Sequence, residues 1–270
     1  MTANYSFGAQ TVVTIGSTAM AATSCSVGVK EVLLQRNGIR GTRDHYDADV
    51  RKGPQHVGGS INLEPSAADL AAIMALAVSD PTADLAEFTV AVSKAAGGQT
   101  LSGCKVSKAT ISGTQGGIIS CALEVVGKTV SNSAASGSAV VDAIPFIFSD
   151  AVFSKAGEVH NFQLVIDNHL DAERFLNSVT LPEVVPQDRT VMLQVSVPWS
   201  DANAALYNEA LNSASSGTLA LNNGTSTKTF TFGKLIAPAE SPDVPGKGEV
   251  LLQLNYVAVA STNTAAVAFG

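Results

Sequence analysis

The densest groups of side chains that could bind a metal ion or transfer a proton lie in two loops of the sequence. The first loop holds Asp44, His45, Tyr46, Asp47 and Asp49, and the second holds Asp167, Asn168, His169, Asp171 and Glu173. Carboxylates this close together are typical ligands of Ca²⁺. The first run lacks the glycine and the closing glutamate of an EF-hand loop. We therefore predict a solvated or interface loop in both places, and the recurrence favours a shared structural role over a binding site.

The histidines and the glycine-rich run each lack part of the pattern that their chemistry requires. The four histidines, His45, His56, His160 and His169, show no HExxH or other zinc-binding spacing. The glycine-rich run 112–117 precedes a predicted strand. A phosphate-binding loop instead precedes a helix and carries Lys and Ser/Thr. A hairpin turn is therefore predicted for this run.

The cysteines and the single tryptophan also favour structural roles. Cys25, Cys104 and Cys121 have no CxxC spacing and no recognisable export signal before them, which predicts reduced thiols. Cys104 and Cys121 fall in predicted strands and are expected to be buried small hydrophobic residues. Trp199, which follows Pro198 at a predicted helix entry, is expected to pack on the helix or on a neighbouring subunit. The sequence has no GxSxG elbow, so we predict no catalytic residue, no cofactor and no metal.

The composition argues against several classes of protein. The 270-residue chain is 46% hydrophobic and 14% charged, whereas a disordered chain combines low hydrophobicity with high charge. No stretch approaches the roughly 20 apolar residues of a membrane span. The net charge of −7 and the lack of a basic cluster disfavour specific nucleic-acid binding. Aromatic residues make up only 6% of the chain, which argues against a carbohydrate-binding module.

The same order of predicted elements occurs twice along the chain. Each copy has an apolar strand, a long loop, an alternating strand and a helix opened by a serine cap. These elements fall at 29–34, 35–55, 57–63 and Ser66, and again at 162–166, 167–188, 190–197 and Ser200. A β-rich stretch that closes with an apolar strand follows each helix. Corresponding positions lie 131–134 residues apart, which predicts an internal duplication.

These patterns predict a mainly β (α+β) fold. Small and β-branched residues dominate, and each half offers a single helix to cover its strands. We expect two similar β-sandwich or barrel domains, each flanked by one helix. The predicted organisation is an N-terminal arm over 1–28, a first domain over 29–143 and a second domain over 144–270.

Two segments, 58–66 and 192–199, run from strand through turn to helix. Each follows a long loop and precedes a closing hairpin, which ends in 118–126 or in 250–260. In this layout the sequence resembles the tail tube proteins of long-tailed bacteriophages, over residues 29–126 and 160–260. The resemblance implies a domain whose sheets join into rings, and rings that stack into a hollow tube. Such a tube conducts DNA through a lumen that is usually acidic.

The resemblance also implies partners and a location. Duplicated members can form a trimeric ring that imitates a hexamer, so the expected main partner is the chain itself. The other expected partners are tape measure, tail terminator and tail tip proteins, while DNA only passes through and no membrane takes part. The protein is expected in the virion tail, of the non-contractile kind, after assembly in the host cytoplasm. The loops 35–55 and 167–188, together with the N-terminal arm, are expected to reach the next ring.

Three other functions stay open on the sequence alone. A tail terminator or baseplate ring protein of related fold would form rings that never stack. A carbohydrate-binding adhesion module would form no tube and would bind sugars. An enzyme would need a catalytic constellation that the sequence lacks, so an enzyme is not predicted.

Overall fold

A computed structural model gives the tertiary structure of the chain. It describes residues 8, 11–36, 38, 44, 46–80, 82–133, 140, 143–175, 177–212, 214–238, 240–242, 244, 246–261 and 265–270.

Strands and two helices make up the described part of the chain. The elements of the first half are β1 (Val12–Ile15), β2 (Thr18–Met20), β3 (Ala22–Gln35), β4 (Val50–Leu63), α1 (Ala67–Ala77), β5 (Phe88–Lys94), β6 (Gly97–Thr114), β7 (Ser120–Gly127) and β8 (Thr129–Ser133). Those of the second half are β9 (Ala151–Phe153), β10 (Asn161–Asp167), β11 (Thr190–Pro198), α2 (Ala204–Asn212), β12 (Ser215–Asn222), β13 (Thr227–Ile236), β14 (Leu251–Val259) and β15 (Val267–Phe269). The predicted mainly β fold is confirmed.

The pairings in the two halves can be compared strand by strand. In the first half, hydrogen-bonded neighbours follow the order β1-β5-β6-β7-β4-β3, with β8 beside β6. In the second half they follow β9-β12-β13-β14-β11-β10, with β15 beside β13. All of these pairings are antiparallel.

Strand β6 joins the two halves into one sheet. Its first part pairs with β5 and β8, and its second part pairs with β7 on one side and with β10 on the other. The β6–β10 register runs from Asn161 opposite Thr114 to Asp167 opposite Lys108. The halves therefore form one continuous antiparallel sheet at this point.

Helix α1 begins where the sequence predicts it. The Ser66 Oγ accepts a hydrogen bond from the Asp69 backbone N–H at 3.3 Å, and the Asp69 carboxylate accepts one from the Ser66 backbone N–H at 3.1 Å. This reciprocal cap satisfies amide groups that have no partner within the helix. The predicted apolar face, formed by Leu70, Ile73, Met74 and Ala77, is buried in the core.

Helix α2 begins later than predicted. Pro198 still belongs to β11, and a turn separates it from the helix, which starts at Ala204. The Ser200 Oγ accepts from the Asn203 backbone N–H at 3.3 Å, and the Ser200 carbonyl accepts from the Ala204 N–H at 2.8 Å. Leu206 of the predicted apolar face is buried, whereas the side chains of residues 210 and 211 lie outside the described residues.

The residues predicted as an N-terminal arm contain strands. Val13, Ile15 and Met20 are buried, and β1 pairs with β5. Strand β3 starts at Ala22 and pairs with β4 along most of its length. The sequence period is weak here because β3 is an edge strand whose side chains are mostly half-buried or exposed, so neither face has to be strictly apolar.

Two adjacent glycines allow β3 and β7 to flank β4 closely. Gly58 and Gly59 have φ values of 151° and 148°, a region that side chains disfavour. A Cβ on Gly58 would stand 2.3 Å from the Val125 carbonyl oxygen, and one on Gly59 would stand 1.9 Å from that of Ser26. Glycine at both positions therefore sets the geometry of β4 within the sheet.

Candidate assembly surfaces

The first acidic loop is used to close the β3–β4 hairpin. The Asp49 side chain is 4% exposed, and its carboxylate accepts from the Tyr46 backbone N–H at 3.2 Å. The Asp49 carbonyl accepts from the Arg36 N–H at 2.9 Å, and the Asp47 carboxylate accepts from the Ala48 N–H at 2.8 Å. His45 lies outside the described residues. These carboxylates serve as caps of backbone amides, and within the described ranges no group of three or more His, Cys, Asp or Glu side chains could hold a metal ion.

The second acidic loop packs on the first half of its own chain. Asn168 is buried, and its side-chain amide donates to the Ala77 carbonyl at 3.2 Å and to the Val106 carbonyl at 3.0 Å. The Lys105 ammonium, also buried, donates to the Val184 carbonyl at 2.9 Å and to Asp84 at 2.7 Å. We call residues 168–189 the clasp, because they hold β6 and the end of α1.

The clasp also reaches β4. The Gln55 backbone N–H donates to the Val179 carbonyl at 2.8 Å, and the His56 ring meets the Phe175 ring edge-on with 4.9 Å between centroids. Leu181 and Val184 of the clasp are buried. Hydrogen bonds and apolar burial thus hold the described residues of the loop 167–188 on the first half, and its contact with the next ring stays a prediction.

Asp171, Glu173 and His169 of this loop form local hydrogen bonds. The Asp171 carboxylate accepts from the Arg174 guanidinium at 2.7 Å and from the Glu173 backbone N–H at 3.2 Å, and these bonds hold the pKa of Asp171 below its usual range. The His169 ring Nδ1 lies 2.7 Å from the Asp188 carbonyl oxygen. This loop thus brings together groups that stabilise its own turns.

The other candidates of the sequence lie at separate places. Run 112–117 forms the end of β6 and the turn into β7, as predicted. Burial raises the pKa of Cys104 to about 11 and that of Cys121 to about 12, so both thiols stay neutral and pack as apolar groups. Trp199 meets Tyr207 of α2 edge-on at 5.9 Å between ring centroids, which agrees with the predicted packing on the helix. His160 lies 3.5 Å from the Glu249 carboxylate.

One face of the joined sheet is open and polar. Along β10, Phe162, Leu164 and Ile166 point into the core, while Asn161 and Gln163 are exposed on the opposite face. The same face on the other strands presents mainly hydroxyl and amide groups: Ser60, Asn62, Thr110, Ser112, Ser120, Gln194, Gln253 and Asn255. Charged residues of this face alternate in sign across the strands, with Glu124 opposite Lys108 and Lys108 opposite Asp167. This surface is therefore nearly neutral, and it is polar apart from a row of exposed apolar side chains, Met192, Val257 and Ile236.

The outer edge of β3 is the second open feature. Within the described part of the chain β3 pairs with β4 alone. An edge strand of this kind offers main-chain groups to a strand of another chain.

The far end of the β3–β4 hairpin is the third open feature. Pairing between β4 and β7 ends at Val57 opposite Gly127, but pairing between β3 and β4 continues to Gln35 opposite Val50. The first seven residues of β4, 50–56, thus extend beyond the part of β4 that pairs with β7 and form a two-stranded arm with β3. Its exposed apolar residues are Val32, Leu33, Leu34 and Val50.

The extension of this arm beyond the β4–β7 pairing was not predicted. The run 29–34 is predicted as a short apolar strand, although three consecutive large apolar residues, Val32 to Leu34, cannot all face one side of a strand. That lack of alternation is the signal of a strand that exposes apolar groups on both faces. The clasp has no comparable signal, because its contacts join residues far apart in the chain, as in the two Asn168 hydrogen bonds over 62 and 91 positions.

An open strand edge and an exposed apolar arm are typical of a protein that associates with other protein chains. The comparison with family models agrees, and the chain belongs to the phage tail tube protein family, whose model matches residues 2–258. A search of curated proteins found no match. The protein is therefore a structural component of the phage tail tube and of the virion tail.

Two further findings bear on its class. The family is one of structural phage tail proteins, which is not a class of enzymes. None of the helices in the described ranges is both long enough and apolar enough to cross a lipid bilayer.

Proposed function

We propose that the chain forms closed trimeric rings that stack into the tail tube, and that each chain supplies two equivalent units to its ring. The observation that carries the proposal is the antiparallel β6–β10 junction. A junction that joins one unit to the next within a chain could be repeated between chains. There β3 of the next copy would take the place of β10, and the residues after Ile236, where β13 ends, would take the place of 108–114 of β6. Repetition around three copies would close the ring.

The strand registers support two equivalent units. Ile61 of β4 lies opposite Leu123 of β7, and Val195 of β11 lies opposite Leu254 of β14. This matches the 131–134-residue offset of the sequence. The first strands match at a different offset, because the pairings equate Cys25, Val27 and Val29 of β3 with Phe162, Leu164 and Ile166 of β10.

The domain boundaries follow from this equivalence. Strand β1 pairs with β5 as β9 pairs with β12, so β1 belongs to the first unit. The proposed first unit therefore includes strands in the predicted arm 1–28 as well as the predicted domain 29–143. The second unit corresponds to 144–270.

The number of strands supports a wide channel. Each unit offers four strands to the joined sheet: β3, β4, β7 and β6 in the first, and β10, β11, β14 and β13 in the second. Three copies would give a barrel of roughly 24 strands, beyond the 16–18 strands that already enclose an aqueous channel. The sheet face without helices would line the channel. The helices and the remaining strands would form a second layer outside it, because that layer needs the larger outer circumference.

The chemistry of the open face suits the passage of DNA. Hydroxyl and amide groups hydrate the wall, and the alternating Lys108 and Glu124 leave no basic track along which phosphates would bind. The resemblance implies an acidic lumen, whereas the exposed rows point to a nearly neutral one. DNA would slide through such a lumen without adhesion.

The remaining partners and the place of assembly rest on the family alone. Tape measure, tail terminator and tail tip proteins would contact the tube, and assembly would take place in the host cytoplasm. A non-contractile tail is the kind that duplicated members resemble.

Electron microscopy of concentrated purified protein, with native mass spectrometry of the same sample, tests the ring. Hollow tubes built from rings of three chains are expected. Tubes with six chains per ring would keep the function and refute the pseudo-hexamer. Rings that never stack would point to a tail terminator or baseplate ring protein. A chain that stays monomeric with a tail-tip initiator complex present would refute self-assembly.

A further inference from the structure

An apolar row crosses the open face of the second unit. Val165, Met192, Val257 and Ile236 lie side by side on β10, β11, β14 and β13, and each is opposite the next in the strand registers. Met192 is 42% exposed, Val257 43% and Ile236 47%, while Val165 is half-buried. We call these four residues the ridge. Exposed apolar side chains that form one contiguous surface mark interaction sites.

Polar residues border the ridge along the same strands. Two residues towards one end, Gln163, Gln194 and Asn255 lie opposite one another. Two residues towards the other end, Asp167 lies opposite Thr190. The ridge is therefore a narrow apolar strip that runs across the strands of an otherwise polar face.

The corresponding row of the first unit, whose residues are all described, differs in chemistry. In the order of the ridge, the registers equate it with Gly28, Gly58, Val126 and Lys105. The two glycines offer no side chain, and Lys105 is buried and donates to the clasp. A Cβ on Gly58 would stand 2.3 Å from the Val125 carbonyl oxygen, so a larger residue does not fit there. The pseudo-symmetry of the backbone thus does not extend to this row of side chains.

The pairing of the strands decides what kind of partner the ridge can bind. β10, β11 and β14 are each paired on both sides, so this face offers no strand edge to an extended segment. An α-helix satisfies its own main-chain hydrogen bonds and presents apolar side chains along one stripe. Three strand spacings make the ridge about 14 Å wide, close to the helix diameter of about 10–12 Å. A helix with an apolar stripe therefore fits the ridge.

DNA does not match the chemistry of the ridge. The outer surface of DNA carries phosphates, which bind to charged groups and hydrogen-bond donors. The side chains of valine, isoleucine and methionine have no such group. A protein partner instead removes the apolar surface of the ridge from water, which is favourable. The ridge thus selects a protein over DNA and adds no group that would retain DNA.

We propose that the ridge binds the apolar stripe of an α-helical protein inside the channel, at three sites per ring rather than six. The proposal rests on the proposed ring, in which the open face lines the channel. Each chain contributes one ridge, so the sites repeat three times around the ring although the units repeat six times.

Two matched variants test the ridge, with the tape measure protein of the same phage as the probe. Met192→Gln combined with Val257→Thr keeps the size of the side chains and makes the ridge polar. Val126→Thr makes the same change at the position equivalent to Val257 in the first unit. Each chain is co-expressed with the probe, and tubes are isolated in about 1 M NaCl, which screens contacts between charges. The amount of probe per tube should fall roughly tenfold or more in the ridge variant, because apolar burial is lost, and should stay unchanged in Val126→Thr.

Electron microscopy of tubes formed without the probe is the assembly control. The unaltered chain and both variants should form tubes, since the substituted side chains lie on the open face. A ridge variant that retains the probe, unaltered tubes that hold none, or an equal loss in Val126→Thr would overturn the ridge contact and leave the rings standing. An unaltered chain that forms no rings would remove both proposals.

Photo-crosslinking maps the contact while most of the ridge stays intact. Benzoylphenylalanine in place of Met192 should crosslink to the probe within assembled tubes, and benzoylphenylalanine in place of Val126 should not. Crosslinks from both positions, or from neither, would contradict a site confined to the second unit. This measurement also decides the matter if the double variant does not assemble.

Discussion

The two long connections at equivalent places in the two units have different fates. In the first unit β3 and β4 extend together beyond the clasp contacts at Gln55 and His56, and Val32 to Leu34 stay exposed at the end of the hairpin. In the second unit residues 168–189 fold back and become the clasp, with Asn168 and Val184 buried. The comparison shows that a connection stays on its own chain when buried polar partners and apolar cover are available there.

Lys105, the lysine that binds the clasp, has no counterpart lysine in the second unit. Lys105 of β6 donates to the clasp, while the register places Ile236 of β13 at the equivalent position. Ile236 is exposed and has no ammonium to offer. The β3–β4 connection of the first unit could therefore not be held by a lysine at this position. This is consistent with a hairpin that extends outward.

The largest effect is expected from removing the lysine that holds the clasp. Lys105→Ala would delete both the bond to Val184 and the ion pair with Asp84, and it would leave a cavity. The Asp84 carboxylate is 60% exposed and regains water, so the loss comes from the removed packing of the buried side chain and from the Val184 carbonyl left without a donor, together about 3 kcal/mol. Urea unfolding should therefore show a lower free energy of unfolding. Lys108→Ala, on the exposed face of the same strand, is the control and should change it by less than about 0.5 kcal/mol.

A smaller effect is expected from the buried amide of the clasp. Asn168→Ala would leave the carbonyls of Ala77 and Val106 without this donor. Each buried polar group left unsatisfied costs about 1–3 kcal/mol, and proteolysis within 168–189 should become faster. Gln163→Ala, whose side chain is exposed on β10, provides the comparison. Equal proteolysis of the two variants would show that the clasp does not depend on Asn168.

Removal of a helix cap should change the free energy of unfolding by a smaller amount, and this amount should differ between the two units. Ser66→Ala removes a reciprocal cap, so it should lower the free energy of unfolding by about 1 kcal/mol. Ser200 accepts from Asn203 within a turn that precedes α2 by several residues. Ser200→Ala should therefore cost less than Ser66→Ala in the same urea titration. A larger loss from Ser200→Ala would reverse this ranking of the two caps.

The smallest effect concerns pH. The hydrogen bond from Lys105 holds the pKa of Asp84 below its ordinary value. A lowered pKa in the folded state gives stability that is present above the unfolded pKa, near 4, and is lost as pH falls through the folded value. Stability of Asp84→Asn should thus fall less steeply below about pH 4 than that of the unaltered protein. Identical slopes in urea titrations at several pH values would contradict this contribution.

Local sequence pattern determined the elements whose faces are clearly divided. The alternation in 190–197 and in 250–260 predicted β11 and β14 to within a few residues, and Ser66 with Asp69 predicted the start of α1. The two-fold order of elements was also visible in the sequence. These features are local because side-chain period and capping depend on residues only a few positions apart.

The tertiary structure alone decided how these elements combine. It joined β6 to β10, placed β1 beside β5 and folded 168–189 onto β6. It also left Leu33 and Val50 exposed at the end of the β3–β4 hairpin. Such contacts link residues far apart in the chain and depend on which edges and buried polar partners remain available, and no local period encodes that information.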